Sequence, residues 1–262
     1  MSTAPIGVFD SGVGGLSILR SISELLPNER LIYVADSANA PYGPKGEDFI
    51  QHRSAYVMEY FTRQQVKAVV IACNTATAAA IAMLRARYAL PIIGVEPAVK
   101  PAAEQSRSGV VGVLATSGTI ASDKFFHLQN RFSDRVEILT RAGTGLVELI
   151  EQPQFDEAAV LRLLENFIKP MQVKGADTLV LGCTHYSLIR EQITRVAGPG
   201  MKIFDAGGAV AKELQRRLQL QGLDNLQTQR SSVSFVTSGY PAFHQQALRR
   251  YWGSDAELTA LA

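Results

Sequence analysis

Short runs of three to five mostly apolar residues recur along the chain, and longer stretches with apolar positions at helical spacing lie between them. The short runs fall at 6–9, 31–34, 68–72, 92–95, 110–114, 136–139, 177–181, 202–204 and 232–236. Most are apolar at successive positions, not at every second one, which is the pattern of strands covered on both faces. Stretches 47–64, 157–169 and 241–251 read as helices, and Asp156 is placed to cap the second of them. Strand and helix in alternation predict an α/β protein with doubly wound, mainly parallel sheets and right-handed crossovers.

Two of the strand-to-helix junctions are alike. Residues 68–75 (Ala-Val-Val-Ile-Ala-Cys-Asn-Thr) and 178–185 (Thr-Leu-Val-Leu-Gly-Cys-Thr-His) each run an apolar strand into a cysteine, then a polar residue, then a helical pattern. Cys73 and Cys183 are the only cysteines in 262 residues. A second pair of segments, Ile6-Gly7-Val8-Phe9-Asp10-Ser11-Gly12 and Val111-Gly112-Val113-Leu114-Ala115-Thr116-Ser117-Gly118, is also similar. The two correspondences have offsets of 110 and 105 residues, which suggests related halves, roughly 1–97 and 98–207. The C-terminal part would return to the first half. The expected domains are therefore 1–97 with 208–262, carrying Cys73, and 98–207, carrying Cys183.

Composition narrows the function classes. A chain with 47% hydrophobic and 19% charged residues has ample core for a globular fold. The net charge is +2 and no basic stripe appears, so binding to nucleic acid or a membrane surface has no electrostatic support. The first residues lack the layout of a signal peptide, and no apolar run approaches the roughly 20 residues that span a bilayer. A cytoplasmic location with reduced thiols is expected.

Candidate chemistry gathers at strand ends, where α/β proteins build their sites. The turn Gly7–Gly15 fits neither the dinucleotide fingerprint nor the P-loop. It reads either as a tight turn capped by Asp10 or as a loop bringing backbone N–H groups, Asp10 and Ser11 to a small ligand. Residues 38–44 (Ala-Asn-Ala-Pro-Tyr-Gly-Pro) form a stiff turn in which Gly43 frees the backbone for close approach. A single buried cysteine is usually a small hydrophobe. Two in matched contexts at helix N-termini, where the dipole favours a thiolate and can hold a substrate carboxylate, point to paired thiol chemistry. His185, two residues after Cys183, is a candidate proton partner. The four histidines are scattered and no metal-ligand spacing occurs, so a metal site is not expected.

Residues 6–16 (IGVFDSGVGGL), 41–44 (PYGP), 71–77 (IACNTAT) and 181–186 (LGCTHY) together resemble the glutamate racemases of the aspartate/glutamate racemase family. The likeness runs from Ile6 to about residue 210. It implies two similar α/β domains with the active site in the cleft between them, and interconversion of L- and D-glutamate for peptidoglycan without a cofactor. It also implies that Cys73 deprotonates the D-isomer and Cys183 the L-isomer, assisted by Asp10 and His185 respectively. Substrate contacts map by resemblance onto Asp10, Ser11, Tyr42, Gly43, Asn74, Thr75, Thr184 and His185, with Thr116 and Thr119 from the turn equivalent to that of Asp10. Glu151 aligns with a further assisting acid, and Glu148 nearby is the other candidate. Members activated by a cell-wall nucleotide precursor carry an N-terminal extension; with Asp10 so near the start, such activation is not expected here. A homodimer is the expected assembly. The competing readings are aspartate racemase or a related two-cysteine racemase, and a non-catalytic regulator that binds DNA gyrase.

Overall fold

The computed structural model describes residues 2–227, 232–253 and 255–261. Among the described residues ten strands form two sheets: β1 (Ile6–Asp10), β2 (Leu31–Ala35), β3 (Ala68–Ile71), β4 (Ile92–Gly94), β5 (Val110–Ala115), β6 (Glu137–Ala142), β7 (Thr178–Gly182), β8 (Lys202–Phe204), β9 (Val233–Thr237) and β10 (Leu258–Ala260). The first sheet has the order β10-β9-β2-β1-β3-β4 and the second β6-β5-β7-β8. Every pairing is parallel. The order β2-β1-β3-β4 thus recurs as β6-β5-β7-β8, with Cys73 following β3 and Cys183 following the equivalent β7.

The equivalence extends to packing. A Cβ on Gly7, in β1, would lie 2.8 Å from the ring of Phe61 on helix Glu47–Arg63. One on Gly112, in β5, would lie 2.7 Å from Sδ of Met171 on helix Glu157–Val173. Each central strand therefore uses a glycine to let a large helical side chain press onto the sheet.

The apolar runs are strands because both their faces are covered; β1, β2, β3 and β7 are buried throughout. One apolar cluster runs through both domains, from Ile6, Leu19 and Tyr33 to Leu146, Ile150 and Leu181, with Leu214 of helix Gly207–Leu220 among its members. Separate clusters fill the far face of the first sheet, around Phe9, Val34 and Phe61, and of the second, around Val111, Val113 and Phe125.

Two details depart from the sequence reading. The helix expected to stop at 169 continues through Pro170 to Val173, because Ile168 and Met171 are buried against the sheet and outweigh the proline's missing N–H. The edge strand β10 was not anticipated; it is three residues long, and only Leu258 is partly buried. Asp156 caps its helix as expected, its Oδ1 accepting from Ala159 N at 2.9 Å. Among the described residues, no helix is long and apolar enough to cross a membrane.

Candidate active site

The two cysteines sit at the carboxyl edges of β3 and β7, each at the N-cap position of the helix that follows, Asn74–Arg87 and Thr184–Leu188. Both are free and buried. Cys73 Sγ accepts from Ala76 N at 3.4 Å and its thiol points to Ser11 Oγ at 3.7 Å. Burial, the negative field of Asp10 and the nearby Cys183 push the Cys73 thiol up to about 12, so it carries its proton at neutral pH. Cys183 Sγ lies 3.8 Å from Nδ1 of His185.

Around each thiol stands a different acid. Asp10, wholly buried at the end of β1, accepts from Gly12 N (2.9 Å) through Oδ1 and from Thr184 Oγ1 (2.9 Å) through Oδ2. Its bond to Thr184 crosses from one domain to the other. Burial pushes Asp10 above the usual carboxylate range, although the charge of His185 and these hydrogen bonds oppose it. On the other side, His185 Nε2 lies 2.6 Å from Oε1 of Glu151, which also accepts from Val13 N at 2.7 Å. Burial disfavours a charged imidazole, yet the bonds with Cys183 and Glu151 outweigh it and hold His185 well above its ordinary value.

The geometry also separates the two acid candidates on helix Leu146–Glu151. Glu151 turns its carboxylate toward His185, whereas Glu148 is exposed.

The glycine-rich turn has a purpose that sequence reasoning missed. A Cβ on Gly12 would fall 1.8 Å from Glu151 Oε1, and one on Gly14 would fall 2.3 Å from His185 Nδ1. The glycines admit the second domain's acid and imidazole against the first domain's backbone. The turn is braced by Tyr33, whose hydroxyl donates to Gly12 O at 2.6 Å, and by Ser17, whose hydroxyl bonds both Gly14 O (2.9 Å) and Thr184 O (3.2 Å). No pattern in the sequence singles out Tyr33, which reads as one more large residue in a buried strand.

The predicted substrate contacts divide into two groups. The Thr75 hydroxyl meets those of Thr116 and Thr119 across the cleft at 2.9 and 3.3 Å, and Thr116 bonds Thr119 at 2.9 Å within the second domain. Gly43 packs against this cluster: its carbonyl accepts from Ser117 Oγ at 3.4 Å and leaves no room for a side chain at Gly118. Asn74 is buried and its Nδ2 has no hydrogen-bond partner among the described residues. Tyr42 is different. Its hydroxyl donates to Asp36 Oδ2 at 2.6 Å, and Arg53 grips the same carboxylate at 3.0 and 2.7 Å. Its side chain holds the Pro-Tyr-Gly turn, so what it can offer a ligand is backbone. Asp36 was not singled out in the sequence; its place just past the end of β2 is the one signal that marks it.

A groove of about 430 Å³ opens beside Thr75 and Gly118, flanked by Lys45 and Lys124. A larger cavity of about 850 Å³, lined by Arg30, Tyr60 and Trp252 among others, touches none of these residues. Neither opening is lined by Cys73, Cys183, Asp10 or His185, so the site is defined by the convergence of these side chains and not by either cavity.

Comparison with known proteins agrees with this arrangement. Residues 6–214 match the model of the Asp/Glu/hydantoin racemase family. The glutamate racemase of Ectopseudomonas mendocina is 52% identical over 218 residues, 83% of each chain. The crystal structure of glutamate racemase isoform RacE1 from Bacillus anthracis superposes with a TM-score of 0.88 at 30% identity, covering 100% of this chain and 98% of that one. That of Escherichia coli glutamate racemase, in complex with L-glutamate and the activator UDP-MurNAc-ala, gives 0.85 at 33% identity, with 98% of both chains covered. Two like α/β domains, each bringing one strand-end cysteine to a shared cleft, are joined by this match over most of the length: the chain belongs to the Asp/Glu/hydantoin racemase family.

Proposed function

We propose that the chain interconverts L- and D-glutamate by a two-base mechanism without a cofactor, supplying the D-isomer for peptidoglycan. The observation that carries the reading is the pair of buried thiols, one at the end of each equivalent strand, with different proton partners. Racemisation takes the α-proton from one face and returns a proton to the other. Cys183, beside His185, takes it from the L-isomer. Cys73, whose thiol is held protonated, delivers to the opposite face. Delivery leaves Cys73 as the thiolate and Cys183 as the thiol, the form that takes the α-proton from the D-isomer.

The α-proton is weakly acidic, so the carbanion-like state needs fixed donors in a site that excludes water. Asn74 Nδ2, buried and without a hydrogen-bond partner among the described residues, and the hydroxyls of Thr75, Thr116, Thr119 and Ser11 are such donors. Thr184 and His185 complete them from the second domain, with the backbone of Tyr42 and Gly43 closing the far end. Asp10 assists Cys73 and Glu151 orients His185. The E. mendocina relative's name and the E. coli complex with L-glutamate support glutamate over aspartate.

The proposed domains are 1–97 with 208–262 and 98–207, supported by the assignment of strands to sheets. The same reading makes the protein a cytoplasmic homodimer, which cell fractionation and sedimentation velocity check. The activity is tested by circular dichroism of L-glutamate incubated with dialysed, metal-free protein under reducing conditions. Loss of optical activity is expected. Persistent optical activity, or faster loss with L-aspartate, overturns the reading.

A further inference from the structure

Glu151 uses only half of its carboxylate on the groups described above. Oε1 accepts from Val13 N and pairs with His185, whereas Oε2 is buried with no hydrogen-bond partner among the described residues. One other buried polar atom nearby is in the same condition. Nδ1 of His244, on helix Pro241–Tyr251, has no hydrogen-bond partner among the described residues and lies 4.0 Å from Glu151 Oε2, with both side chains 12% exposed. The gap exceeds a hydrogen bond by about 1 Å, a distance that rotation about the broad terminal torsions of the two side chains covers. The His244 ring cannot drift far, because it packs where a Cβ on Gly239 would lie, 2.6 Å from Nε2. Its helix is fastened to the acid's own segment: Arg250 donates to the carbonyls of Gln152 and Pro153, and Tyr251 to that of Ile150.

We infer that His244 is a positioning residue for catalysis: its Nδ1–H is the second donor that fixes Glu151, and through it His185, against Cys183. The inference rests on the two-base reading above. Burial holds His244 below its ordinary value, only partly opposed by Glu151, so at neutral pH the ring is neutral and has one N–H to give. The other titratable groups that feel the Glu151 charge are Asp10, Tyr33 and Tyr251. Asp10 and Glu151 are both acceptors, and Tyr33 and Tyr251 donate elsewhere. His244 is the donor left for Oε2.

The test is a double-mutant cycle. A hydrogen bond to a charged group is worth about tenfold or more, so His244→Phe should lower kcat about tenfold. KM should stay within about twofold, because His244 is not among the proposed substrate contacts. In a Glu151→Gln background the same substitution should cost nothing further. His244→Asn, whose amide nitrogen falls near Nδ1, should retain most of the rate, and His244→Gln, whose amide falls near Nε2, should not. Wild-type turnover in His244→Phe, full additivity with Glu151→Gln, or equal rescue by Asn and Gln overturns the proposal. If the Phe variant fails to fold, the Asn–Gln comparison decides. NMR titration of the His185 imidazole gives a readout independent of turnover: its pKa should fall by about one unit, the tenfold equivalent, in His244→Gln but not in His244→Asn, and an unchanged value overturns the coupling. If the wild-type chain does not racemise glutamate, the functional reading falls and this titration still decides the role of His244.

Discussion

Gly12→Ala isolates the contact between the glycine turn and the second domain. Gly12 does not have a positive φ, so alanine meets no backbone penalty there. The added Cβ would fall 1.8 Å from Glu151 Oε1 and 2.7 Å from Cδ, so one of them must move. The carboxylate is at the end of a flexible side chain and gives way before the turn does. Its displacement breaks two bonds to a charged acceptor, from Val13 N at 2.7 Å and His185 Nε2 at 2.6 Å. Each such bond contributes about 1.5–3 kcal/mol. Water entering the gap offsets part of this, which leaves a net loss of about 2 kcal/mol, or about thirtyfold in rate. The assay is initial-rate racemisation in both directions, with primary isotope effects from α-deuterated L- and D-glutamate and a thermal melt. The expected result is a folded protein with kcat/KM down about thirtyfold and the isotope effect for abstraction from L-glutamate changed more than that for D-glutamate. Undiminished kcat/KM would refute the claim that the glycine exists to admit Glu151.

Other expectations follow from the same geometry. Cys73→Ser and Cys183→Ser should each abolish racemisation, since serine is a far weaker acid than a thiol with a reference pKa near 8.5; near-normal turnover in either refutes the pairing. His185→Asn should mainly perturb abstraction from L-glutamate and Asp10→Asn abstraction from D-glutamate, read as separate isotope effects; equal changes contradict side-specific roles. Thr184→Val removes the donor 2.9 Å from buried Asp10 Oδ2 and should destabilise the fold by about 1–3 kcal/mol, visible as a lowered denaturant midpoint. Because His185 has a raised folded-state pKa, its contribution to stability is complete below the ordinary value of about 6.5 and is lost as pH rises through the raised value. Unfolding midpoints should fall over that window, and His185→Asn should flatten the slope.

Much of this was legible because the chemistry sits at strand ends. The apolar runs into Cys73 and Cys183 showed both the parallel sheets and the placement of the thiols, since a strand buried on both faces must be apolar throughout. The turn at Asp10 was half legible: its glycines were plain, but their reason lies far along the chain, in Glu151 and His185 of the second domain. The same distance hid the choice between Glu148 and Glu151, which are on one short helix and differ only in the direction each faces. Tyr42 was legible as part of a stiff turn, not as a side chain held by Asp36 and Arg53. The edge strand β10 carries too little buried surface to leave a pattern. Local sequence fixes elements and caps; what crosses the cleft does not repeat along the chain.

The most direct test of the two-thiol claim is the fate of the α-proton at low conversion in deuterated water. With L-glutamate as substrate, Cys183 takes the proton and Cys73 delivers a solvent-derived deuteron. The product D-glutamate should carry α-deuterium while the remaining L-glutamate stays protiated, as read by proton NMR after chiral separation. Product D-glutamate that retains the substrate proton, or equal deuteration of both enantiomers from the start, would contradict two opposed bases.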